Sequence, residues 1–293
     1  MSVLYTSLAS NLTDDDYIEV VDEGTPPHYI HPETLTHSAN SFRVVAVTSA
    51  TKYAGTTTAV TTLAATLNHA SNGVIKVAVL DLNTHHPDLY NTTDTLEFDF
   101  VSLSDSEQYN SDYINNHKLV TEQGFDCFIL FGDSLPRVDH ERNKLNELLS
   151  SLSENYDVVL IDTEDFSAHN PYTLLSLQES DMVLCVSNPD AQSISIVMDQ
   201  IEEFVQPLGA GGLGLNSDTT GVILNRNSLD LLTVHRMTDE LRKSISLVGT
   251  IPVLCPNSSN VKKNLQALQE QPHLSLPILV ALKNIFTDYI FTE

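Results

Sequence analysis

The feature that most constrains this chain is a series of short, β-branched apolar runs separated by stretches of helical periodicity. The runs are VVAVT at 44–48, KVAVLDL at 76–82, DCFILF at 126–131, DVVLID at 157–162, MVLCVS at 182–187, TGVILN at 220–225 and SLVGTI at 246–251. Each is apolar on consecutive residues, not on alternate ones, so both faces of the strand must be covered. Strands buried on both faces and joined by helices predict an α/β fold, with a doubly wound, mainly parallel sheet flanked by helices. Between the runs, Val60, Leu63, Ala64 and Leu67 recur at helical spacing, as do Leu145, Leu148, Leu149 and Leu152. Ile278, Leu282, Ile285, Phe286, Tyr289 and Ile290 mark one face of a last helix. Its single lysine, Lys283, does not make the basic face of a membrane-surface helix, so packing on the sheet is expected.

Composition narrows the partners. The 293 residues carry a formal charge of −25 with only 14 Lys plus Arg, which repels polyanions and argues against nucleic acid or acidic lipid as the main partner. Residues 1–41 contain Asp14, Asp15, Asp16, Glu19, Asp22, Glu23 and Glu33 but neither Lys nor Arg. They read as an acidic, extended or disordered arm ahead of a domain over 42–293. No uninterrupted apolar run of about 18 residues occurs, and no basic segment precedes an apolar one near residue 1. The expectation is a cytoplasmic chain without direct membrane insertion. Cys127, Cys185 and Cys255 are odd in number and far apart, which favours free thiols over a disulfide framework or a zinc site.

Ligands of open parallel sheets gather at the carboxyl ends of the strands, so the residues after each run carry the functional signal. After the first run comes SATKYAGTTTA at 49–59, a loop entering a helix in the manner of a Walker A phosphate-binding loop. In such a loop, backbone N–H groups and the helix N-terminus cradle phosphates, a lysine reaches the β/γ-phosphates, and the next Ser/Thr hydroxyl holds Mg²⁺. Here Gly55-Thr56-Thr57 stands where Gly-Lys-Thr is expected. The second and fourth runs end in Asp81 and Asp162, each an acidic residue closing an apolar strand in the manner of a Walker B carboxylate.

In order and spacing, these segments resemble the P-loop ATPases of the deviant-Walker MinD/ParA superfamily over residues 42–260. Within it they resemble the cytoplasmic domain of the bacterial tyrosine kinases of capsule and exopolysaccharide systems. Ser49, Ala50, Gly55, Thr57 and Thr58 match the loop of that group, and Asp81, Asn83, Pro87 and Tyr90 stand in its second motif. The stretch leading to Asp162 is similar to the one entering the Walker B Asp-Thr-Pro-Pro. GVILNRN and LVGTIPV look like the late strands that place Asn225 and Pro252 near an adenine. The resemblance implies ATP or ADP with Mg²⁺ as cofactor. It implies nucleotide contacts from Lys52, Gly55, Thr56, Thr57, Thr58, Asn225 and Pro252, and a metal held by Thr57, Asp81 and Asp162.

The departures shape the functional expectation. Thr56 replaces the lysine, Tyr53 stands where glycine is common, Asn83 replaces a second carboxylate, and Glu164-Asp165 replaces Pro-Pro. Loss of the lysine removes charge that offsets the transferring phosphoryl group, so kinase turnover should fall severely while the amide cradle persists. The superfamily uses a second loop lysine across a dimer; Thr51 matches that position, and Lys52 is its neighbour. Two readings follow from the resemblance. One is a pseudo-kinase-like accessory protein of an envelope or exopolysaccharide biosynthesis or secretion system. It would regulate or scaffold a membrane-embedded co-polymerase or synthase subunit that recruits it to the inner membrane. The alternative is an active, atypical MinD/ParA-type ATPase that positions or regulates a secretion or pilus machine, cycling through a homodimer. A structural partner that takes no nucleotide is a third, generic reading.

Other signals carry less. The glycines at 209–214 fit G-x-G-x-x-G but precede a strand and open no helix, so they read as a connection. His28, His31 and His37 with Glu33, and the pair His85-His86, lack the spacing of a tetrahedral metal site. No nucleophile elbow or glycosidase carboxylate pair is present.

Overall fold

The seven apolar runs all become strands, and their alternation with helices fixes the layers. The computed structural model describes residues 5–6, 17–18, 44–83, 89, 99–103, 107–130, 138–163, 171–207, 212–227, 246–255 and 260–286. Within the acidic segment, β1 (Tyr5–Thr6) pairs antiparallel with β2 (Tyr17–Ile18). The remaining elements follow as β3 (Val44–Ser49), α1 (Thr56–Ala70), β4 (Val77–Asp81), α2 (Ser111–His117), β5 (Leu119–Val120) and β6 (Asp126–Ile129). Next come α3 (Val138–Asn155), β7 (Val158–Asp162), α4 (Pro171–Glu179), β8 (Met182–Ser187) and α5 (Ala191–Val205). The chain closes with β9 (Thr220–Asn227), β10 (Ser246–Pro252), α6 (Val261–Glu270) and α7 (Leu276–Ile285).

Eight strands form one sheet in the order β10-β9-β8-β3-β7-β4-β6-β5. All neighbours run parallel except the edge strand β5, which pairs antiparallel with β6. That edge strand is absent from the sequence reading, because a two-residue strand with Val120 61% exposed carries no apolar run.

The continuous apolar character of β3 has the expected cause: all six residues are buried, and alternate side chains enter different cores. Val45 and Val47 join Val60, Leu63, Leu67, Leu265, Ile278 and Leu282 on the face covered by α1, α6 and α7. Val44 and Ala46 join Leu145, Leu148, Leu152, Tyr172 and Phe204 on the face covered by α3, α4 and α5. At about 1.5–3 kcal/mol per fully buried large aliphatic side chain, both faces anchor the central strand, and its carboxyl end is a rigid platform. The helical faces read from sequence are the buried ones, with Ile285 and Phe286 closing α7 at 1% and 2% exposure; Tyr289 and Ile290 lie outside the described residues. Cys127 and Cys185 are buried free thiols, and burial pushes the Cys185 thiol up to about 12. No helix among the described residues is long and apolar enough to cross a membrane.

Candidate functional site

β3 lies between β7 and β8, and the chain leaves this neighbourhood in opposite directions. From β3 it passes through α1 toward β4 on one side, and from β7 through α4 to β8 on the other. The crevice outside the carboxyl ends at such a reversal is the ligand position of open parallel sheets. The loop over residues 50–55 occupies it.

Local hydrogen bonds shape that loop. Ser49 Oγ donates to the Thr51 carbonyl (3.1 Å), and the Ala54 N–H donates to the same carbonyl (3.4 Å). Tyr53 adopts a left-handed backbone at φ 64, which explains in physical terms why glycine suits this position. Gly55 is left-handed too, at φ 89 and ψ 43, and is the N-cap of α1. With no side chain it makes no cap hydrogen bond, and no acidic residue occupies the first turn of α1. The N–H groups of that turn are therefore not covered by a cap, and together with the helix dipole they favour an anion. Thr51 Oγ1 is buried and finds no hydrogen-bond partner among the described residues.

The residues expected around a nucleotide fall into distinct environments. Lys52 and Tyr53 are exposed, Tyr53 to 87%. Gly55, Thr56 and Thr57 are half-buried. Thr58 is buried. The Thr57 carbonyl accepts from Thr61 Oγ1 (2.7 Å), inside α1.

The two strand-end carboxylates are brought together. Asp81 and Asp162 are register partners on β4 and β7, and Asp162 is also the partner of Val47 on β3. Both are buried. Asp81 accepts the N–H groups of Asn83 (2.8 Å) and Leu89 (3.3 Å), so its carboxylate also organises the turn after β4. Asn83, which replaces a second carboxylate in the motif, therefore contributes its backbone to that turn. Thr163, which the sequence reading did not single out, donates both its N–H (3.1 Å) and Oγ1 (3.0 Å) to the Val47 carbonyl and ties the end of β7 to β3. Its signal is a Thr directly after a strand-end Asp.

The far side of the crevice is formed by β9 and β10. Pro252 ends β10, half-buried and in register with Asn227. Asn225, 1% exposed, turns its side chain to the loop: Nδ2 donates to the carbonyls of Ala54 (2.8 Å) and Gly55 (3.4 Å). A Cβ added at Gly55 would fall on that Nδ2, inside van der Waals contact, so any side chain here must displace the Asn225 amide as well as adopt a left-handed φ. Pro87, Tyr90, His85, His86, Glu164 and Asp165 lie outside the described residues, as do His28, His31, His37 and Glu33.

The residues present fit a phosphate ligand with a hard cation. The loop offers open amides and an orphaned hydroxyl, and the strand ends offer two buried carboxylates. Mg²⁺ is commonly held by one or two carboxylates plus phosphate oxygens and waters, so it needs no larger protein cage. Among the described residues, no cluster of three or more His, Cys, Asp or Glu is placed to hold a metal by itself.

No family model and no curated protein matches the chain. Solved structures do match its fold. The septum site-determining protein MinD of Pyrococcus horikoshii, complexed with Mg-ADP, aligns at TM-score 0.57 and 18% identity over 83% of this chain and 95% of that chain. A ParA family ATPase from Chlorobium tepidum aligns at TM-score 0.59 and 17% identity over 83% of this chain and 99% of that one. An ATP complex of a variant of Cyanothece McdA aligns at TM-score 0.63 and 15% identity over 87% and 100% of the two chains. The eight-stranded, mostly parallel sheet with its flanking helices therefore has the fold of the MinD and ParA P-loop ATPases.

Proposed function

We propose that this chain is a MinD/ParA-type nucleotide-binding protein that takes ATP or ADP with Mg²⁺, turns it over slowly or not at all, and positions or regulates a secretion or pilus machine. The observation that carries the reading is the loop between β3 and α1: a left-handed Gly55 without a side-chain cap, opening onto two buried carboxylates in register at neighbouring strand ends. In this reading the amides of Gly55, Thr56, Thr57 and Thr58 hold phosphates. Thr57 Oγ1, Asp81 and Asp162 hold Mg²⁺, directly or through water. Bound Mg²⁺ offsets phosphate charge, which otherwise faces the two carboxylates alone. Pro252 lines the base end of the crevice. Lys52, exposed at the loop tip, is available to a second copy of the chain in a homodimer.

Slow turnover follows from Thr56, because a hydroxyl cannot replace the point charge that a lysine brings to the transferring phosphoryl group. Among the structures compared, one is named for septum-site determination and one as a ParA family ATPase, and two hold ATP or Mg-ADP. These support a positioning role over a pseudo-kinase-like accessory of exopolysaccharide assembly with a membrane co-polymerase partner, for which they supply nothing.

Calorimetry with ATP and ADP in the presence of Mg²⁺, alongside a phosphate-release assay, tests the proposal. Binding by the native protein, weaker binding by Asp162→Ala and faster release by Thr56→Lys are expected. If neither the native protein nor Thr56→Lys binds either nucleotide, the reading fails. Sedimentation with and without ATP tests the homodimer.

A further inference from the structure

Asn225 is expected from the family resemblance beside an adenine, yet its hydrogen-bonding capacity in the folded chain is directed elsewhere. Nδ2 is shared between the Ala54 and Gly55 carbonyls, and Oδ1 accepts the N–H of Arg226 (2.8 Å). Arg226 itself is left-handed at φ 53. By strand alternation Asn225 follows Ile223 on the face covered by α1, and the register of β9 with β10 is interrupted at this point. Leu224 pairs with Thr250 and Asn227 with Pro252, so Asn225 and Arg226 together stand opposite Ile251 alone. This two-against-one register is that of a β-bulge, and it ends the regular pairing of β9 at Asn225. On the other side of the contact, Gly55 is left-handed, and the space its missing Cβ would fill is taken by the Asn225 amide.

The geometry points to Asn225 as a positioning residue of the phosphate loop. Its amide, at the carboxyl end of β9, holds the carbonyls of Ala54 and Gly55 inward, so that the amides of the first turn of α1 face the crevice. It thereby sets affinity for the phosphate chain and not the choice of base. This hold resists rotation of the Ala54 peptide, because rotation would leave the buried Ala54 carbonyl and the Asn225 amide unsatisfied in the interior. The Gly55 carbonyl accepts the Ala59 N–H at 2.9 Å as well, so the same clamp registers the first turn of α1. In its ligand arm this inference rests on the proposed phosphate cradle; in its exchange arm it does not.

Two measurements test it on the full chain. Asn225→Asp keeps the shape of the side chain and removes the donor, and Asn225→Ala removes both. In ligand-free protein, hydrogen exchange at the Ala54 and Ala59 amides should quicken by roughly 5- to 10-fold in both variants, the factor expected for one lost hydrogen bond, while amides in β8 and in β9 before the bulge keep their protection. In the ligand arm, affinities for Mg-ATP and for inorganic tripolyphosphate, which has no base, should fall by the same factor. Unchanged exchange at Ala54 and Ala59 in Asn225→Asp would overturn the inference. So would weakened ATP binding with tripolyphosphate binding intact, which is the signature of a base-reading residue. If the native protein binds neither ligand, the cradle reading fails and exchange alone decides the role of Asn225.

Discussion

The contact between Gly55 and Asn225 gives a prediction whose size follows from geometry. Gly55→Ala forces a Cβ onto a backbone at φ 89, and a left-handed L-residue costs about 1–2 kcal/mol. The same Cβ displaces the Asn225 amide from the Ala54 carbonyl, a bond of 2.8 Å to a side chain only 1% exposed. Leaving those buried groups unsatisfied costs about 1–3 kcal/mol, so the single variant should lose about 2–5 kcal/mol. Asn225→Ala loses the same hydrogen bond, about 1–3 kcal/mol, together with the bond that Oδ1 accepts from the Arg226 N–H, which Gly55→Ala need not break. In the double variant the backbone term remains but the hydrogen bond is lost only once, so the two substitutions should be less than additive by about 1–3 kcal/mol. Urea unfolding of the native protein, both singles and the double, read from midpoints at constant m, closes this cycle. Additivity within about 0.5 kcal/mol would refute the claim that Cβ and amide compete for one space.

Three further outcomes are expected. Tyr53→Gly removes left-handed strain at φ 64 from a side chain that is 87% exposed; the gain of about 1–2 kcal/mol, less the added freedom of glycine in the unfolded chain, leaves up to about 1 kcal/mol of stabilisation in urea, and a loss would show that the ring makes a contact of its own. Thr62 is fully buried in α1 with an Oγ1 that finds no partner among the described residues, so the isosteric Thr62→Val should raise stability by about 1 kcal/mol in the same assay. Asp190 caps α5 by accepting the Ser193 N–H (2.9 Å) and Oγ (2.7 Å), bonds that hold its carboxyl below its ordinary value. Because the folded value is the lower one, this stability is present above the ordinary carboxylate range and lost as pH falls through the folded value. Asp190→Ala should cost about 0.5–1 kcal/mol at neutral pH, and its difference from the native protein should narrow on acidification, as read by thermal melts across pH.

The strands were legible because each is an unbroken apolar run, which only a sheet covered on both faces can bury. β5 was not, since it carries two residues and one of them faces solvent. The loop could be located from Gly55 and the strand-end carboxylates, because glycine before a Thr-rich helix and Asp after an apolar run are local patterns. Their pairing needed the sheet: Asp81 and Asp162 meet through register, and Asp81 also serves its own turn. The left-handed backbones at Tyr53 and Arg226 leave no mark in residue type, because neither is glycine. The hold of Asn225 on Ala54 could not be read at all, since nothing local predicts which strand end passes over a loop.

Asn225 and Ala54 are 171 residues apart along the chain. During synthesis at about 5–20 residues per second, the loop would leave the ribosome roughly 10 to 30 s before the side chain that fastens it. By the end of that interval the nascent chain holds β3, α1 and both carboxylate strands, while the Ala54 carbonyl still lacks the Asn225 amide. The arrival of β9 thus closes a contact that no earlier part of the chain can make.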